Sequence, residues 1–356
     1  MTEFKDAPVL VSGGAGYIGS HVVHFLKLAG FTPIVLDNLI NGHAFATHSA
    51  SVFQRGDIAD VDLVSALCAK YRPVAAMHFA AFIEVGESVK NPEKYLENNR
   101  DKAAVFFETL RNRGVDKIVF SSTAAVYGEP AGDVALTEEH PTSPINPYGQ
   151  SKLAAESFLR AIPSVQSVIL RYFNVAGSAA ELGLGEAHYP ETHLIPRIVI
   201  PLVDAPSVIQ TALGLGQGFK IYGDDHATRD GTAVRDYLHV LDLADAHVKA
   251  LTYLLGGGSS DIFNLGSGSG YSVKEIVRAA RETLERPDFR PEVVLRRAGD
   301  PAMLVASNDK AQRTLGWRPQ RDVSEMIRSA AIWHRSDRYQ QAILEKMAVL
   351  QHSQCG

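Results

Sequence analysis

Tyr148 and Lys152 stand four residues apart in a stretch that follows Pro147. If this stretch is helical, side chains at i and i+4 share a face, so a phenol lies beside a positive charge. A free phenol has a pKa of about 10, and a nearby ammonium lowers it by favouring the phenolate. The pair therefore predicts a base that removes a proton from an alcohol. The same spacing is common on solvated helix faces, so the rest of the chain must decide.

A glycine-rich segment near the N-terminus predicts a dinucleotide site. Gly13, Gly16 and Gly19 form a Gly-x-x-Gly-x-x-Gly pattern between a predicted strand and a predicted helix. Such a turn lets the backbone approach a pyrophosphate, whose charge the helix N-terminus stabilises. Asp37 closes the next predicted strand, where an acid can bind the ribose 2′-hydroxyl, and no arginine follows it to receive a 2′-phosphate. NAD is therefore favoured over NADP.

Three other glycine segments have simpler alternatives. The run 56–58, which contains Asp57, suits an adenine contact, and a plain turn is an equal alternative. The run 214–218 has no strand before it and is predicted to be a loop. The run 266–270 does lie between a strand and a helix, but Ser272 and Glu275 predict a capping box that explains it without a ligand.

Two polar groupings complete the candidate chemistry. Residues 121–123, Ser-Ser-Thr, end the fifth predicted strand at the carboxyl edge, where ligands bind in open α/β sheets. A hydroxyl there completes a Ser/Thr-Tyr-Lys set with the pair on the next helix. The second grouping consists of Glu186, His188, Glu191 and His193. Because this spacing matches no standard ligand pattern, we expect a solvated loop and no metal.

The first half of the chain alternates short apolar runs with amphipathic ones, which implies a doubly wound parallel sheet. The predicted strands span 8–12, 33–36, 51–54, 74–79, 117–121 and 166–170. The predicted helices span 17–29, 60–70, 92–113 and 147–160.

Beyond residue 174 the alternation stops. Four prolines mark 176–218 as loop-rich, and a helix (240–254), a strand (261–265), a helix (273–284), a strand (292–295) and two late helices are predicted to follow. We interpret 1–174 as a Rossmann domain that binds NAD, with 234–266 packing back onto it. The remainder, 175–356, is interpreted as a smaller α/β lobe that binds the substrate.

Composition restricts the partners. The 356 residues are 46% hydrophobic, and a net charge of −5 with a pI near 6.2 argues against nucleic acid and anionic membranes. Cys68 and Cys355 are too few for a disulfide framework. No signal peptide is evident, and no apolar run approaches the ~20 residues of a membrane span. The chain is expected to be soluble and cytoplasmic.

With the glycine loop, the Ser/Thr-Tyr-Lys set resembles the extended short-chain dehydrogenase/reductase superfamily. Six further segments narrow the resemblance to the UDP-galactose (UDP-glucose) 4-epimerases, especially bacterial ones that serve exopolysaccharide synthesis. The match runs from about residue 9 to residue 333. The segments are GGAGYIGSH (13–21), HFAA (78–81), VGES (85–88), RYFN (171–174), VRDYLH (234–239) and DLADAH (242–247).

This resemblance implies a mechanism. Tyr148, as phenolate, would remove the proton of the sugar 4-hydroxyl while the C4 hydride passes to NAD⁺. Thr123 would hydrogen-bond the reacting oxygen, and Lys152 would bind the nicotinamide ribose and lower the pKa of Tyr148. The 4-keto sugar would then turn over within the site and take the hydride back on its other face. Water exclusion would keep the keto sugar from escaping.

The resemblance also assigns binding residues. It implies that NAD is held by Gly13, Gly16, Tyr17, Ile18, Gly19, Asp37, Asn38, Asp57, Ile58, Phe79, Ala80, Ala81, Asn98, Ser121, Tyr148, Lys152 and Tyr172. The UDP-sugar would contact Thr123, Tyr148, Asn174, His193, Leu194, Lys220, Tyr222, Arg235, Arg297 and Asp300. The arginines would pair with the phosphates, Asp300 with the ribose, and Tyr222 would stack near the uracil.

Some positions discriminate between related chemistries. Ala124 and Ala125 stand where dehydrating or decarboxylating relatives carry an acid, which favours epimerisation. Other positions depart from the family pattern. Ile83 stands where many relatives have a lysine near the NAD phosphates, and His193 stands where many have an asparagine. Residues 199–207 look like an insertion. Leu304 aligns with a position that gates room for a 2-acetamido group, and leucine neither opens nor closes it.

The leading hypothesis is interconversion of UDP-glucose and UDP-galactose. The same epimerisation of UDP-N-acetylhexosamines or UDP-pentoses is a close alternative. A non-catalytic NAD sensor, which would not need the catalytic set, is a remote one. By analogy with the family we expect a homodimer formed through the helices at 92–113 and 147–160.

Overall fold

A computed structural model describes residues 4–129, 134–203, 205–213, 215, 218–296 and 301–354. The strands are β1 (Pro8–Ser12), β2 (Thr32–Asp37), β3 (Val52–Arg55), β4 (Ala75–His78), β5 (Lys117–Thr123), β6 (Gln166–Tyr172), β7 (Asn174–Ala176), β8 (Lys220–Tyr222), β9 (Val234–His239), β10 (Asp261–Leu265), β11 (Gly270–Ser272), β12 (Glu292–Val294) and β13 (Met303–Leu304).

The helices alternate with these strands. They are α1 (Tyr17–Leu28), α2 (Val61–Tyr71), α3 (Val85–Lys90), α4 (Pro92–Leu96), α5 (Ala103–Asn112), α6 (Pro147–Ala161), α7 (Leu194–Leu202), α8 (Ser207–Ala212), α9 (Val240–Leu255), α10 (Val273–Thr283), α11 (Asp309–Leu315), α12 (Val323–Arg335) and α13 (Asp337–Gln354). Short 3₁₀ turns span Ala44–Thr47, Ala124–Tyr127 and Ala180–Leu182, and a π-helical turn spans Glu97–Lys102.

The larger sheet has seven parallel strands in the order β10-β6-β5-β4-β1-β2-β3. Its central strands are buried almost throughout, as expected when helices cover both faces. In β1, for example, Val9 and Val11 pack with α1 and α9, whereas Leu10 packs with α2 and α5. The doubly wound Rossmann fold predicted from the sequence is thereby confirmed.

The remaining strands form smaller sheets beside the carboxyl edge of the larger one. β9 lies at their centre and pairs with β7, β11 and β13, while β8 pairs with β12. Within 234–266, α9 and β10 join the layers of the larger sheet, but β9 belongs to the smaller one. Residues of α7, α10, α12 and α13 build a separate apolar core for this part of the chain.

Three details of the predicted elements were wrong. The segment 176–218 contains α7 and α8, because apolar burial outweighs the prolines and Pro196 lies in the first turn, where its missing N–H is not needed. The predicted helix at 92–113 is interrupted by the π-helical turn. Three late helices, α11 to α13, follow instead of two. The capping box of Ser272 and Glu275 is confirmed.

No helix among the described residues is long and apolar enough to cross a membrane.

Candidate active site

Helix α6 carries the proposed base and lysine, and its start is fixed locally. The Asn146 side chain accepts a hydrogen bond of 2.8 Å from the amide of Gly149, and Pro147 occupies the first turn. A Cβ atom on Gly149 would lie 2.6 Å from the carbonyl oxygen of Ala125. Glycine therefore lets the first turn of α6 approach the turn that follows β5, which brings Tyr148 to the end of that strand.

The hydroxyl groups of two neighbouring strands meet there. Thr123, the last residue of β5, is hydrogen-bonded to Tyr148. On the same strand, Ser121 Oγ lies 2.6 Å from the hydroxyl of Tyr172, which ends the neighbouring strand β6. Burial, and then the charge of Tyr148, raises the pKa of Tyr172. The predicted Ser/Thr and tyrosine groups are thus brought together at the carboxyl edge of the sheet.

Lys152 lies one turn further along α6 and is only 3% exposed. Its Nζ atom lies 4.4 Å from the centre of the Phe120 ring. Burial lowers the pKa of Lys152 to about 7, and the charge of Glu156 opposes that shift in part. An ammonium in such a site is stabilised by the ring face rather than by water.

Glu156 in turn belongs to a buried network that fixes β5 and β6 to α6. Its carboxylate forms an ion pair with Arg171, with 2.5 Å between Nη2 and Oε2, and accepts a hydrogen bond from Ser122. The guanidinium also donates to the hydroxyl of Tyr127, which donates to Asn264. The network therefore connects β5 and β6 to α6 beside the proposed site.

One electrostatic expectation from the sequence was wrong for this structure. The pKa of Tyr148 is raised to about 12 instead of lowered. Burial penalises the phenolate, and the charge of Glu84 adds to this effect, while the hydrogen bond with Thr123 opposes it only in part. Because its own pKa is lowered to about 7, Lys152 is only partly charged at neutral pH. The pair does not by itself make an ionised base.

A pocket at the glycine loop contains nine of the predicted cofactor residues: Gly13, Gly16, Asp37, Asn38, Ile58, Phe79, Ala80, Ala81 and Asn98. Gly13 has φ of +75°, and a Cβ atom there would lie 2.5 Å from the amide nitrogen of Ala80. A Cβ atom on Gly19 would overlap the carbonyl of Gly13. The loop therefore requires glycine at both positions, and α1 begins directly after it, as a pyrophosphate cradle needs.

Asp37 is held at the rim of this pocket. Its Oδ2 atom accepts from the amide of Ala15 at 3.0 Å, and Oδ1 accepts from the amide of Leu39 at 2.8 Å. Burial raises its pKa, and these hydrogen bonds oppose that change. The carboxylate is therefore oriented before a ribose arrives, which fits the role predicted for it.

A lysine that the sequence did not single out closes the same rim. Lys346 of α13 donates hydrogen bonds to the carbonyls of Leu39, Ile40 and Gly42, at 3.0, 2.7 and 3.0 Å. Ile40 and Gly42 line the pocket, together with Leu36, Asn41, Gly56 and Phe82. The three donors of the ammonium hold the segment after Asp37 to the C-terminal helix.

The π-helical turn also supports the pocket. It carries Asn98, which lines the pocket, and Asn99, which is buried. The Asn99 side chain accepts a hydrogen bond from the amide of Phe82 and donates one to the carbonyl of the same residue. Its Nδ2 atom also lies 3.2 Å from Ser151 Oγ on α6. This residue was missed from the sequence, and it connects the pocket wall to the helix that carries Tyr148.

The other predicted cofactor residues lie around this pocket without lining it. The Tyr17 hydroxyl donates to the carbonyl of Gly177 at 2.7 Å, and Ile18 packs on the core beneath α1. The carboxylate of Asp57 lies 3.0 Å from Lys102 Nζ. Ser121 and Tyr172 lie near the ends of β5 and β6, and Lys152 lies on α6, as described above.

The predicted substrate residues lie on the smaller sheets and on α7. Asn174 begins β7 and is exposed, His193 caps α7, and Leu194 is its first residue. Lys220 and Tyr222 are at the two ends of β8. Arg235 on β9 is paired in register with Leu304 and donates to the carbonyl of Pro301 at 2.7 Å. Arg297 and Asp300 lie outside the described residues.

The glycine run after β10 has a structural explanation. The buried carboxylate of Asp236 accepts hydrogen bonds from the amides of Ser267, Gly268 and Ala306. A Cβ atom on Gly266 would overlap this carboxylate. The amides that a phosphate would need are therefore used by Asp236, as the capping box had suggested.

The acidic and histidine residues between β7 and α7 are not a solvated loop, so this expectation was wrong. Glu186 is 3% exposed and Glu191 1% exposed, and His188 and His193 are half-buried. One potential ligand atom from each of the four side chains lies within 4.8 Å of the others. The loop folds inward because the Trp333 ring nitrogen and His43 bind its backbone at Glu186 and Ala187.

Comparison with known proteins agrees with this geometry. Residues 9–266 match the NAD dependent epimerase/dehydratase family. A UDP-glucose 4-epimerase of Rhizobium leguminosarum bv. trifolii is 50% identical over 92% of this chain and 97% of its own length. The structure of a Brucella ovis UDP-glucose 4-epimerase in complex with NAD is 40% identical, with a TM-score of 0.84, and covers 92% of this chain and 98% of its own.

A UDP-Glc/GlcNAc 4-epimerase from Campylobacter jejuni is also 40% identical, with a TM-score of 0.77 over 92% of this chain and 99% of its own. The family match over residues 9–266 spans both the glycine loop and the strand ends that hold the hydroxyl groups. The chain belongs to the NAD dependent epimerase/dehydratase family and, within it, to the UDP-glucose 4-epimerases.

Proposed function

We propose that this protein interconverts UDP-glucose and UDP-galactose through a transient 4-keto sugar, with Tyr148 as the base. The observation that carries the proposal is the meeting of Thr123, Tyr148 and Lys152 at the end of β5, beside the glycine-loop pocket. NAD is the cofactor of the family, and bound NAD⁺ supplies the hydride acceptor and later the hydride donor.

The chain's own residues handle the proton. Tyr148 takes the proton of the 4-hydroxyl as the hydride leaves C4 and returns it when the hydride comes back. Thr123 is already hydrogen-bonded to Tyr148, so its hydroxyl is positioned to bind the same sugar oxygen. General-base catalysis of this kind contributes about 10²- to 10⁴-fold.

The raised pKa of Tyr148 bears on when the base forms. A positive charge near the phenol favours the phenolate, and Lys152 supplies only part of one near neutral pH. The positive charge of the oxidised nicotinamide is the second source in this proposal. The base is then poised only when oxidised cofactor is in place, so that a proton is not taken before a hydride acceptor is present.

Neighbouring residues favour epimerisation over elimination. Ala124 and Ala125 follow Thr123 in the 3₁₀ turn and offer no acid or base. Glu84, whose charge acts on Tyr148, accepts a hydrogen bond of 2.5 Å from Thr192. One oxygen of its carboxylate is thus bonded to the loop before α7.

For the nucleotide we propose the lobe built around β9. Helix α7 begins after His193, and the first amides of this helix, together with Asn174 and Arg235, would meet the diphosphate. Lys220 and Tyr222 on β8, with Asp300, would hold the uridine, and Arg297 would pair with the phosphates. Substitution of Arg235 with methionine should raise the KM for UDP-sugar more than it lowers kcat.

The choice of sugar depends on Leu304. This residue packs against the apolar cluster that contains Ala124, Val126 and Phe173, so it lies close to the turn that follows β5. Because the Campylobacter relative is a UDP-Glc/GlcNAc 4-epimerase, epimerisation of N-acetylhexosamines is the second candidate here. Comparison of kcat/KM for the hexose, N-acetylhexosamine and pentose pairs decides between them, and no turnover of any pair would contradict the proposal.

A sensor without activity is separated from an enzyme by one absorbance measurement. The enzyme incubated with UDP-sugar, or with UMP and a reducing sugar, should accumulate protein-bound reduced nicotinamide. A sensor should not, although both would bind NAD.

We further propose a homodimer formed through the helices at 92–113 and 147–160. In support, α4 and α5 pack directly beside α6, so the two segments form one continuous surface. Light scattering should give twice the mass of 38.6 kDa.

A further inference from the structure

The loop between β7 and α7 brings four potential metal ligands together. We call Glu186, His188, Glu191 and His193 the histidine–glutamate cluster. One potential ligand atom of each lies within 4.8 Å of the others, although the residues are spread over eight positions of irregular backbone. Neither the proton transfer nor the nucleotide contacts proposed above require this arrangement of all four side chains.

The atoms in the cluster converge as ligands do. The Glu186 Oε1 atom lies 2.9 Å from Nδ1 of His188 and 2.8 Å from Nδ1 of His193. The same nitrogen of His193 lies 3.0 Å from Oε1 of Glu191. One ring nitrogen thus faces two carboxylate oxygens but carries at most one proton, so it cannot make a full hydrogen bond to both.

Buried polar atoms around the cluster provide a second, independent observation. Glu191 Oε2 has no hydrogen-bond partner among the residues that the structure describes, although this side chain is fully buried. Within the same described part, His334 Nε2 and the Tyr339 hydroxyl are also buried and without partners. The charges of Glu186 and Glu191 act on both of these groups. A buried carboxylate oxygen without a partner is costly unless something positive neutralises it.

We propose that the histidine–glutamate cluster binds one divalent cation of the zinc type, through Nδ1 of both histidines and one oxygen of each glutamate. Zinc accepts imidazole and carboxylate ligands at about 2.0 to 2.2 Å in a tetrahedron, which places neighbouring ligand atoms about 3.4 Å apart. The spread of 4.8 Å closes to this geometry with small side-chain movements. Two carboxylates balance the charge of the ion.

The position of the cluster indicates a structural role. The carbonyl of Glu186 accepts a hydrogen bond of 2.6 Å from the Trp333 ring on α12. On the other side, the centre of the His188 ring lies 6.2 Å from that of Tyr17, the first residue of α1 after the glycine loop. A site with four protein ligands has no open position for chemistry. The ion would therefore fix the conformation of the loop that contacts both α12 and the first residue of α1.

Metal content tests the proposal directly. The full-length protein, without an affinity tag, is equilibrated with Zn²⁺, passed through a desalting column and analysed by mass spectrometry for zinc. We expect the unaltered protein to retain one zinc per chain. Glu191→Gln and His188→Gln should each retain at least tenfold less zinc. His48→Gln, which removes an exposed imidazole outside the cluster, should keep it. No retained zinc, or equal retention in all four proteins, overturns the proposal.

If the variants do not fold, crystals of the unaltered protein still test the proposal. An anomalous difference map recorded at the zinc edge should show one peak between the four side chains. A peak only elsewhere, or none after soaking, overturns the proposal. In the same protein, Zn²⁺ should raise the melting temperature, because a ligand that binds only the folded state stabilises it. Melting that Zn²⁺ leaves unchanged would contradict binding to the folded chain.

Discussion

The ammonium of Lys152 lies 4.4 Å above the ring of Phe120, the strand residue directly before Ser121, the first hydroxyl-bearing residue of the site. This contact places the lysine against the sheet, where burial lowers its pKa to about 7. The lysine that should promote ionisation of Tyr148 is itself partly discharged at neutral pH. In the proposed mechanism, ionisation of Tyr148 therefore depends on the cofactor as well as on the pair.

The buried lysine predicts a pH dependence of stability. Its folded pKa of about 7 lies below the unfolded value of 10.5, so the unfolded chain binds more protons between these pH values. The free energy of unfolding then rises with pH over this window. After NAD removal, wild type should gain about 1 to 3 kcal/mol relative to Lys152→Met between pH 7 and pH 9. Urea unfolding of both proteins measures this difference, and a constant difference would contradict the buried charge.

The hydrogen bonds of Lys346 predict that α13 contributes to the affinity for NAD. Lys346→Met removes three hydrogen bonds to the segment after Asp37. At about 1 kcal/mol for each net hydrogen bond, NAD should bind at least tenfold more weakly, as measured by calorimetry on cofactor-free protein. Lys249→Met, which removes a half-buried lysine from α9, is the matched control. Equal affinity in both variants would show that the C-terminal helix does not support the pocket.

Gly13 predicts a backbone requirement. In Gly13→Ala the new Cβ atom meets the amide nitrogen of Ala80, and φ of +75° is unfavourable for alanine. The variant should lose NAD while keeping its secondary structure by circular dichroism. Gly86→Ala is the control, since a Cβ atom at Gly86 has no neighbour within 4 Å. A Gly13→Ala protein that purifies with full NAD would contradict this reading of the loop.

The features that the sequence predicted correctly depend on local signals. The glycine spacing, Asp37 at the end of β2 and the capping box of Ser272 each need only a few neighbouring residues. Helix α7 was missed because its prolines are local signals for a loop, whereas its stability comes from apolar contacts with α10 and α12. The contact of Lys346 with Gly42 spans 304 residues and has no pattern that could reveal it.

The electrostatic properties of the site were the other feature that the sequence did not predict correctly. Spacing alone correctly placed Tyr148 and Lys152 on one helix face, but the direction of the Tyr148 pKa shift depends on burial by several elements. The same holds for the histidine–glutamate cluster. The sequence predicted a solvated loop there, because the contacts with α12 and α1 that bury it cannot be seen in the sequence. A burial-dependent property can be predicted from sequence only when the packing partners are known.

Substitution of Tyr148 with phenylalanine tests the central claim most directly. The ring and its packing are kept, and only the hydroxyl that we propose as the acceptor of the sugar proton, in its ionised form, is lost. The purified variant should contain as much NAD as wild type, while kcat for UDP-galactose falls by about 10²- to 10⁴-fold. A variant with full NAD and kcat within a few-fold of wild type would show that another group is the base.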